Sequence, residues 1–506
     1  MQTLDLIIIF GYLIGVTLFG MWFAKKQNTT EDYFVGDRSV PWWAIAASIV
    51  ATETSTITFI SVPGIAFAKG GNFQFLQLVF GYMLGRVVIS LLFIPMYFRG
   101  ELLTVYQLLG ERFGLKVKML ASALFVVMRN IADGIRLLLT AIVLSAVYVA
   151  FQPNADVNSV IVASIILLGA IMIIFTYYGG IEAVIWVEVI QLGIYIGGAI
   201  AAAVVILNQV EGGMPSVLQI GQQFDKFDLF DFNLDFTKTY TFWAGLICGC
   251  FLTMSTHGTD QYLVQRYLCT NKASRASLAL LSSGAVVLGQ FIGFLFIGVL
   301  LFAFYTPFNA AEYAGAGVLN SGVPATFPFA GGDKVFPDFI TKHMPSGLSG
   351  LVVAAIFAAA LSSSLNSIAA TFVNDLYKPF KPAAEDKHFL RVSHWLTLVF
   401  GVVQITVALV VMNQNRSALD QALSIASLFN GPVLGVFLVG TFLPKVRENA
   451  ALVGMAASIL LILYIKFATP IAWTWYVLIG SLTTFTVAWL ASLLFNNQRE
   501  TNTDSL

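Results

Sequence analysis

The chain has 506 residues, of which 58% are hydrophobic and only 11% are charged. Soluble domains usually contain roughly 45–50% hydrophobic and roughly 25% charged residues. So few polar side chains cannot coat a water-soluble protein of this size, so we expect an integral membrane protein whose main partner is the lipid bilayer. The formal net charge of zero and the absence of a basic block argue against nucleic-acid binding.

Apolar segments long enough to cross a bilayer recur along the whole chain. A helical span needs about 20 apolar residues, and the uninterrupted runs favour helices over a transmembrane β-barrel. The predicted fold class is therefore an all-α polytopic membrane protein with about 13 transmembrane helices. The segments are approximately 4–24, 41–67, 73–98, 117–150, 159–178, 181–208, 240–266, 276–306, 347–377, 389–412, 417–441, 449–466 and 471–495.

Lys and Arg are distributed unevenly between the two sides of the predicted membrane. Of the 27 in the chain, 17 fall on the side of the first loop and the C-terminal tail, and seven on the other side. By the positive-inside rule the N-terminus is outside and the C-terminus inside, in a plasma or cell inner membrane. The first segment has no preceding basic residue and no small-residue cleavage site, so we expect a retained span.

The ten segments after the first can be read as two sets of five. Because five is odd, the second set enters the membrane with the opposite orientation, which is the geometry of an inverted repeat. Polar runs at 51–56 and 253–260 interrupt the first segment of each set. They predict two broken helices facing one central site, the alternative being intact helices whose hydroxyls bond to i−4 carbonyls.

The predicted organisation has five parts along the chain. They are an extra N-terminal span and cytoplasmic loop (1–40), a first inverted repeat (41–208), an extracellular loop (209–239), a second inverted repeat (240–441), and two C-terminal spans with a short tail (442–506).

Charged side chains within spans are candidates for function, because each costs at least about 2.5 kcal/mol at the bilayer centre. Arg129, Asp133 and Arg136 share one helix face, where Asp133 can bridge both guanidinium groups. The remaining positive charge could bind a solute carboxylate or be neutralised by Glu53. Glu188 is a lone carboxylate among apolar neighbours, which could hold a cation, take up a proton, or reach water at the cytoplasmic interface.

Two further polar features lie within predicted spans. The run 358–364 combines small residues with hydroxyls, which suit either close helix packing or an alkali cation. His257, in the second polar run, could hydrogen-bond a polar solute or be a structural histidine. No catalytic motif accompanies them, and we expect no enzyme activity.

Four segments resemble the sodium:solute symporter family, whose members include sodium/sugar, sodium/proline and sialic acid transporters. They are 51–63, 178–191, 260–266 and 354–375, the last with Leu365-Asn366-Ser367. The resemblance implies a five-plus-five inverted repeat with two broken helices. It also implies sodium-coupled uptake of a small polar organic solute by alternating access. A proton-coupled symporter of the same fold is the alternative, and a membrane-embedded solute sensor a further one.

The resemblance also implies binding residues for sodium and for the solute. A sodium ion would be held by the carbonyls of Ala51, Thr54 and Ala359 and the hydroxyls of Ser362 and Ser363. A second alignment makes these hydroxyls similar to ligands of an additional sodium site, to which Glu188 would belong, although the family has Asp at that position. The residues implied for the solute site are Glu53, Ser55, Thr58, Gln77, Arg129, Arg136, Thr253, Thr256 and His257.

Overall fold

A computed structural model describes residues 2–23, 29–68, 70–100, 102–152, 154–305, 332–361, 364–412 and 418–503. Among these residues the chain forms helices and no β-strand, which confirms the predicted all-α class. Ser362 and Ser363, which belong to the predicted sodium site, lie outside the described residues.

The helices follow one another along the chain with short connections. In the first half they are α1 (Thr3–Phe23), α2 (Thr30–Val35), α3 (Trp42–Glu53), α4 (Thr56–Phe67), α5 (Leu76–Leu92), α6 (Ile94–Tyr97), α7 (Gln107–Phe113), α8 (Leu115–Phe151), α9 (Val157–Gln209) and α10 (Gly213–Gln223). In the second half they are α11 (Gly249–Gly258), α12 (Gln261–Leu268), α13 (Ala273–Tyr305), α14 (Val335–Lys342), α15 (Leu348–Leu361), α16 (Leu365–Thr371), α17 (Asp386–Val411), α18 (Ala418–Phe442), α19 (Glu448–Ala468) and α20 (Tyr476–Thr503).

Within the described residues, eight helices are long and apolar enough to cross a membrane, or nine if the bent pair α3 and α4 is counted as one span. The predicted number of thirteen therefore stays a prediction. Helix α9 has 53 residues, which corresponds to roughly 80 Å at about 1.5 Å per residue. Gly180 interrupts it with φ 61° and ψ −172°, a conformation that favours glycine, between the predicted spans 159–178 and 181–208.

Both predicted helix breaks are present. Helix α3 ends at Glu53, α4 begins at Thr56, and the two helices are bent by 54°. Helix α11 ends at Gly258 and α12 begins at Gln261, with the Asp260 carboxylate accepting a hydrogen bond from the Tyr262 amide at 2.9 Å. Thr, Ser and Asp favour helix ends because their side chains compete for backbone hydrogen bonds, and here they end each helix inside the fold.

The neighbours of the broken helices bring further charges toward the breaks. Helix α5 packs against α11, and a Cβ on Gly85 would lie 2.7 Å from the carbonyl oxygen of Cys250. This close approach places the adjacent Arg86 inside the protein, where it is 1% exposed. The C-terminal helices α19 and α20 pack on each other and on α18, away from the breaks.

Candidate functional site

A cavity of about 210 Å³ lies between the two helix breaks. Residues of both breaks line it, together with residues of α5, α8, α13 and α18. This location confirms that the two broken helices face one central site. The predicted solute-site residues that line the cavity are Glu53, Ser55, Thr58, Arg129, Arg136, Thr253, Thr256 and His257. Their roles in binding stay predictions.

Gln77, the remaining predicted solute-site residue, does not belong to this lining. Its side chain is 1% exposed and donates a hydrogen bond to the Gln74 carbonyl at 3.1 Å. It also accepts one from the Asp231 amide at 3.0 Å. These contacts attach the start of α5 to the loop that precedes α11, and a role of Gln77 in binding stays a prediction.

Arg129 lies over the ring of Tyr262, with its guanidinium carbon 4.0 Å from the ring centroid. Its Nη1 is 3.9 Å from the Asp260 carboxylate, and its side chain is 15% exposed. Cation–π contacts of this kind hold a guanidinium in place and leave its edges available. The expectation that Asp133 also bridges Arg129 is wrong, because Asp133 is engaged elsewhere.

Asp133 connects α8 to the start of α16. Its Oδ1 is 3.0 Å from Arg136 Nη2, as expected for neighbouring positions on one helix face. Its Oδ2 accepts hydrogen bonds from the amide of Ser364, at 3.1 Å, and from the Ser364 hydroxyl. Arg136 also donates to the Tyr262 hydroxyl at 3.3 Å. The Asp133–Arg136 pair and its hydrogen bonds therefore hold α8, α12 and the start of α16 together in the wall of the cavity.

Glu53 contacts two side chains that the sequence did not indicate as its partners. Its Oε1 forms an ion pair with Arg86 Nη2 and lies 2.9 Å from His257 Nε2. The alternative in which Glu53 neutralises the Arg129 and Arg136 face is therefore wrong. The contact between Glu53 and His257 joins the two broken helices, and His257 Nδ1 lies 2.9 Å from the Tyr267 hydroxyl of α12.

The charges around the cavity balance among the described ion pairs. Glu53, Asp133 and Asp260 carry negative charge. The cations paired with them are Arg86, Arg136 and Arg129. With His257 neutral, the site has no formal net charge but presents separate positive and negative groups to a solute. This arrangement suits a polar solute that offers complementary groups to both.

Glu188 is not a lone carboxylate, which corrects the sequence-based expectation. Its Oε1 is 2.5 Å from Arg266 Nη2, and both side chains are 0% exposed. Thr52 Oγ1 donates to Oε1 at 3.1 Å, and the Ser48 hydroxyl donates to Oε2. Helix α12 continues to Leu268 and keeps Arg266 inside the protein. A carboxylate reaching interfacial water is excluded by the same burial.

The first helix break provides backbone oxygens of the kind that bind alkali cations. The last carbonyls of α3 lack intrahelical partners because the helix ends at Glu53. The Val50 carbonyl accepts from the Thr54 amide at 2.8 Å, and the Glu53 carbonyl accepts from the Thr58 hydroxyl at 2.6 Å. These bonds do not involve the Ala51 carbonyl, which belongs to the predicted sodium site.

Helix α15 also contacts the first helix break. The Thr56 hydroxyl donates to the Ile356 carbonyl at 3.1 Å, so the start of α4 contacts α15 about one turn before that helix ends. Ala359 follows Ile356 by three residues in the same helix. The structure thus brings together two of the segments that the resemblance assigned to one sodium site.

Several residues of the cavity wall were not predicted, among them three with polar side chains. Tyr82, Tyr262 and Asn430 line it, from α5, α12 and α18. Tyr262 belongs to the segment 260–266, which had been noted only as a family resemblance. Asn430 is a polar residue in the middle of the predicted span 417–441, and that intramembrane polarity was the available signal.

Known proteins resemble this chain over nearly its whole length. It is 32% identical over 500 residues to the sodium/sialic acid symporter NanT of Aliivibrio fischeri, covering 98% of this chain and 94% of that protein. It is 30% identical over 515 residues to the sodium/sialic acid symporter SiaT of Proteus mirabilis, covering 98% and 96%.

The fold is also similar to a solved structure of a Na⁺-coupled sialic acid symporter in a substrate-bound outward-open state. The TM-score is 0.83 at 29% identity, covering 97% of this chain and 98% of that one. The model of the sodium:solute symporter family matches residues 33–458, most of the chain. By sequence, and in agreement with its broken-helix architecture, this chain belongs to the sodium:solute symporter family.

Proposed function

We propose that this integral membrane protein is a sodium-coupled secondary active symporter that imports a small polar organic solute by alternating access. The observation that supports this most directly is the cavity between two broken helices, which combines opposed charges with a helix end rich in oxygen ligands. Helix breaks at the membrane midplane are where such transporters bind solute and coupling ion. No step of the proposal involves catalysis.

A carboxylate-bearing solute fits the cavity, and N-acetylneuraminate, a sialic acid, is the first to test. The named sodium/sialic acid symporters among the relatives support this choice. The Arg129–Asp260 separation of 3.9 Å is longer than the about 2.7–2.9 Å of a strong charge-assisted hydrogen bond. Arg129 can therefore still donate to a solute carboxylate.

The coupling sodium ion is proposed to bind at the first helix break, as cargo of the transport cycle. Its ligands would be the carbonyls of Ala51, Thr54 and Ala359 and the hydroxyls of Ser362 and Ser363. The contact between Thr56 of α4 and Ile356 of α15, three residues before Ala359, supports this arrangement. We leave Glu188 out of the site, because Arg266 already neutralises it.

The ion pair between Glu188 and Arg266 also removes the main support for proton coupling through Glu188.

The Lys and Arg distribution supports an orientation with the N-terminus outside and the C-terminus inside. In that orientation each entering sodium ion gains roughly 2.3 kcal/mol at a membrane potential of about 100 mV.

Uptake into proteoliposomes tests the proposal. Labelled N-acetylneuraminate should accumulate when sodium is higher outside and should not when potassium replaces it. A negative internal potential should increase the rate. Equal uptake in potassium, or accumulation driven by a pH gradient without sodium, would contradict sodium coupling. If N-acetylneuraminate is not taken up, a solute library screened for sodium-dependent thermal stabilisation identifies the solute.

A further inference from the structure

The Glu53 carboxylate, in the cavity wall, has one oxygen that takes no part in the contacts described above. Both protein partners of the Glu53 carboxylate, Arg86 and His257, contact its Oε1. No hydrogen bond from the described residues reaches Oε2. Glu53 lines the cavity and its side chain is 14% exposed. A carboxylate offers about four lone-pair positions, so Oε2 can accept from a solute.

The position of Glu53 is unfavourable for a residue with a purely structural role. It is the last residue of α3, and the C-terminus of a helix carries partial negative charge. Arg86 and His257 compensate for this, but they do so through one oxygen only. The charge is held fixed through Oε1 while Glu53 lines the cavity, so its second oxygen is available as a preorganised acceptor.

We propose that Glu53 determines solute specificity, with Oε2 accepting a hydrogen bond from a hydroxyl or ammonium group of the solute. The inference rests on the proposed function and specifies its solute class. Accepted solutes carry a donor at the end that faces Glu53. Small anions without a donor are excluded, because they would meet a fixed carboxylate at short range with little water between the two charges.

Arg129 and Glu53 then recognise different ends of one solute. A polyhydroxylated acid satisfies both, with its carboxylate at Arg129 and a hydroxyl at Glu53. A neutral sugar satisfies Glu53 alone. A short monocarboxylate without a hydroxyl satisfies Arg129 alone and leaves Glu53 unpaired on desolvation, which makes it a poor solute.

Three probes separate these cases in sodium-driven uptake. N-acetylneuraminate and D-galactose carry hydroxyl donors, and pyruvate is a monocarboxylate without one. The unaltered protein should take up one or both donor-bearing probes and discriminate against pyruvate by at least about tenfold. In Glu53→Gln the amide nitrogen replaces Oε2, so the cavity gains a donor where it had an acceptor. The affinity ratio between the donor-bearing probe and pyruvate should fall by about tenfold or more.

The ratio of two probes in one preparation does not depend on how much of the protein is folded. Glu211→Gln, the same change on an exposed loop, is the matched control and should leave the ratio unaltered. Glu53→Asp should keep discrimination against pyruvate while binding the donor-bearing probe less tightly. If Glu53→Gln does not fold, deoxy analogues of D-galactose or N-acetylneuraminate on the unaltered protein replace it, and one of them should lose about tenfold in affinity.

Three results would overturn the inference. Glu53→Gln could weaken all probes equally, which would assign Glu53 to holding Arg86 only. The unaltered protein could transport pyruvate as well as the donor-bearing probes, or tolerate every deoxy analogue. If the unaltered protein takes up none of the three probes and no member of the solute library stabilises it in a sodium-dependent way, the proposed function itself fails and the inference fails with it. That last result is distinguishable because it appears before any substitution is made.

Discussion

At the scale of single residues, the cavity separates arginines that hold the protein together from one that can bind a solute. Arg86 is 1% exposed and pairs with Glu53. Arg136 is buried and pairs with Asp133 at 3.0 Å. Arg129 is more exposed, at 15%, and its ion pair is the longest of the three. Side chains that already have short ion pairs have less to offer a ligand, so the three arginines should respond differently to substitution.

Arg129→Gln should weaken uptake of N-acetylneuraminate by about tenfold or more, because a charge-assisted hydrogen bond to a carboxylate contributes roughly 1.5–3 kcal/mol. The apparent KM for that solute measures the effect. Binding of D-galactose, which has no carboxylate, should change much less. The melting temperature should fall only slightly, since Asp260 keeps its bond from the Tyr262 amide. Equal losses for both solutes would show that Arg129 supports the cavity rather than binding the carboxylate.

At the scale of helices, a side chain of α1 caps the N-terminus of helix α15. Asp5 of α1 is 0% exposed, and its Oδ1 accepts hydrogen bonds from the amides of Gly347, at 2.7 Å, and Gly350, at 2.9 Å. These amides lie at the N-terminus of α15, where a negative charge is favourable. A Cβ on Gly350 would lie 2.6 Å from the Asp5 Cα, so the two helices touch through their backbones.

Asp5→Ala should therefore lower the free energy of unfolding by about 1–2 kcal/mol, as for other lost helix caps. Because the far end of α15 carries Ala359, we also expect a higher sodium concentration for half-maximal uptake. Asp5→Asn retains an acceptor oxygen and should have a smaller effect on both quantities. Thermal unfolding and sodium-dependent uptake measure them. An Asp5→Ala protein with unchanged stability would show that the cap contributes nothing.

A loop lysine plays a similar part at the C-terminal end of α4. Lys226 is 2% exposed and donates to the carbonyls of Ala66, Phe67 and Ala68 at 2.9, 3.2 and 2.7 Å. Burial lowers the pKa of Lys226 to about 7. The unfolded chain, where the lysine pKa is near its usual value of about 10.4, then binds more protons than the folded protein between these two pH values.

Stability should accordingly rise as the pH increases from about 7 toward 10, by up to about 1.4 kcal/mol per pH unit from this group. Melting temperatures of the purified protein across that range measure the trend. Lys226→Met should flatten it, while Lys238→Met, at an exposed lysine of the same loop, should not. A trend that is unaffected by Lys226→Met would assign the pH dependence to other groups.

At the scale of the whole molecule, one buried ion pair joins three separate helices. Glu188 of α9 contacts Arg266 of α12 and the hydroxyl groups of Ser48 and Thr52 on α3. Helices α3 and α12 are one half of each broken helix. Breaking such a pair by removing one partner usually costs about 3–5 kcal/mol, because a buried charge remains without compensation.

Glu188→Gln should therefore destabilise the protein by about 3–5 kcal/mol, and the double substitution Glu188→Gln with Arg266→Gln should recover much of the loss. Thermal unfolding of the two single variants and the double variant measures the coupling. The double variant should retain sodium-dependent uptake, since its sodium ligands lie elsewhere in our proposal. Loss of sodium dependence in a stable double variant would instead make Glu188 a sodium ligand.

Much of the fold could be predicted because its signals are local in the sequence. Length of apolar runs, weak helix formers at 51–56 and 253–260, and the charge asymmetry of loops each depend on neighbouring residues. They indicated a membrane protein of helices, two broken helices and a shared site, and the structure agrees on these points. Residues around both breaks line the cavity, and their roles in binding stay predictions.

Gln77, which the family resemblance implied for the solute site, lies outside the cavity lining, because its side chain contacts a loop more than 150 residues away in sequence. The ten-residue window around Glu188 contains no cation, so it was read as unpaired. Both cases concern what a side chain meets, and not where its backbone lies.

By itself the sequence determined that this protein lies in a lipid bilayer, that it is built from helices, and where two of those helices break. Hydropathy and helix propensity act over a few residues, so they can be read directly. Tertiary structure alone decided which charges pair. Glu53 and Arg86 are 33 residues apart in sequence, and Glu188 and Arg266 are 78. Coulomb energy depends on distance in space, and only the packing of separate helices sets that distance.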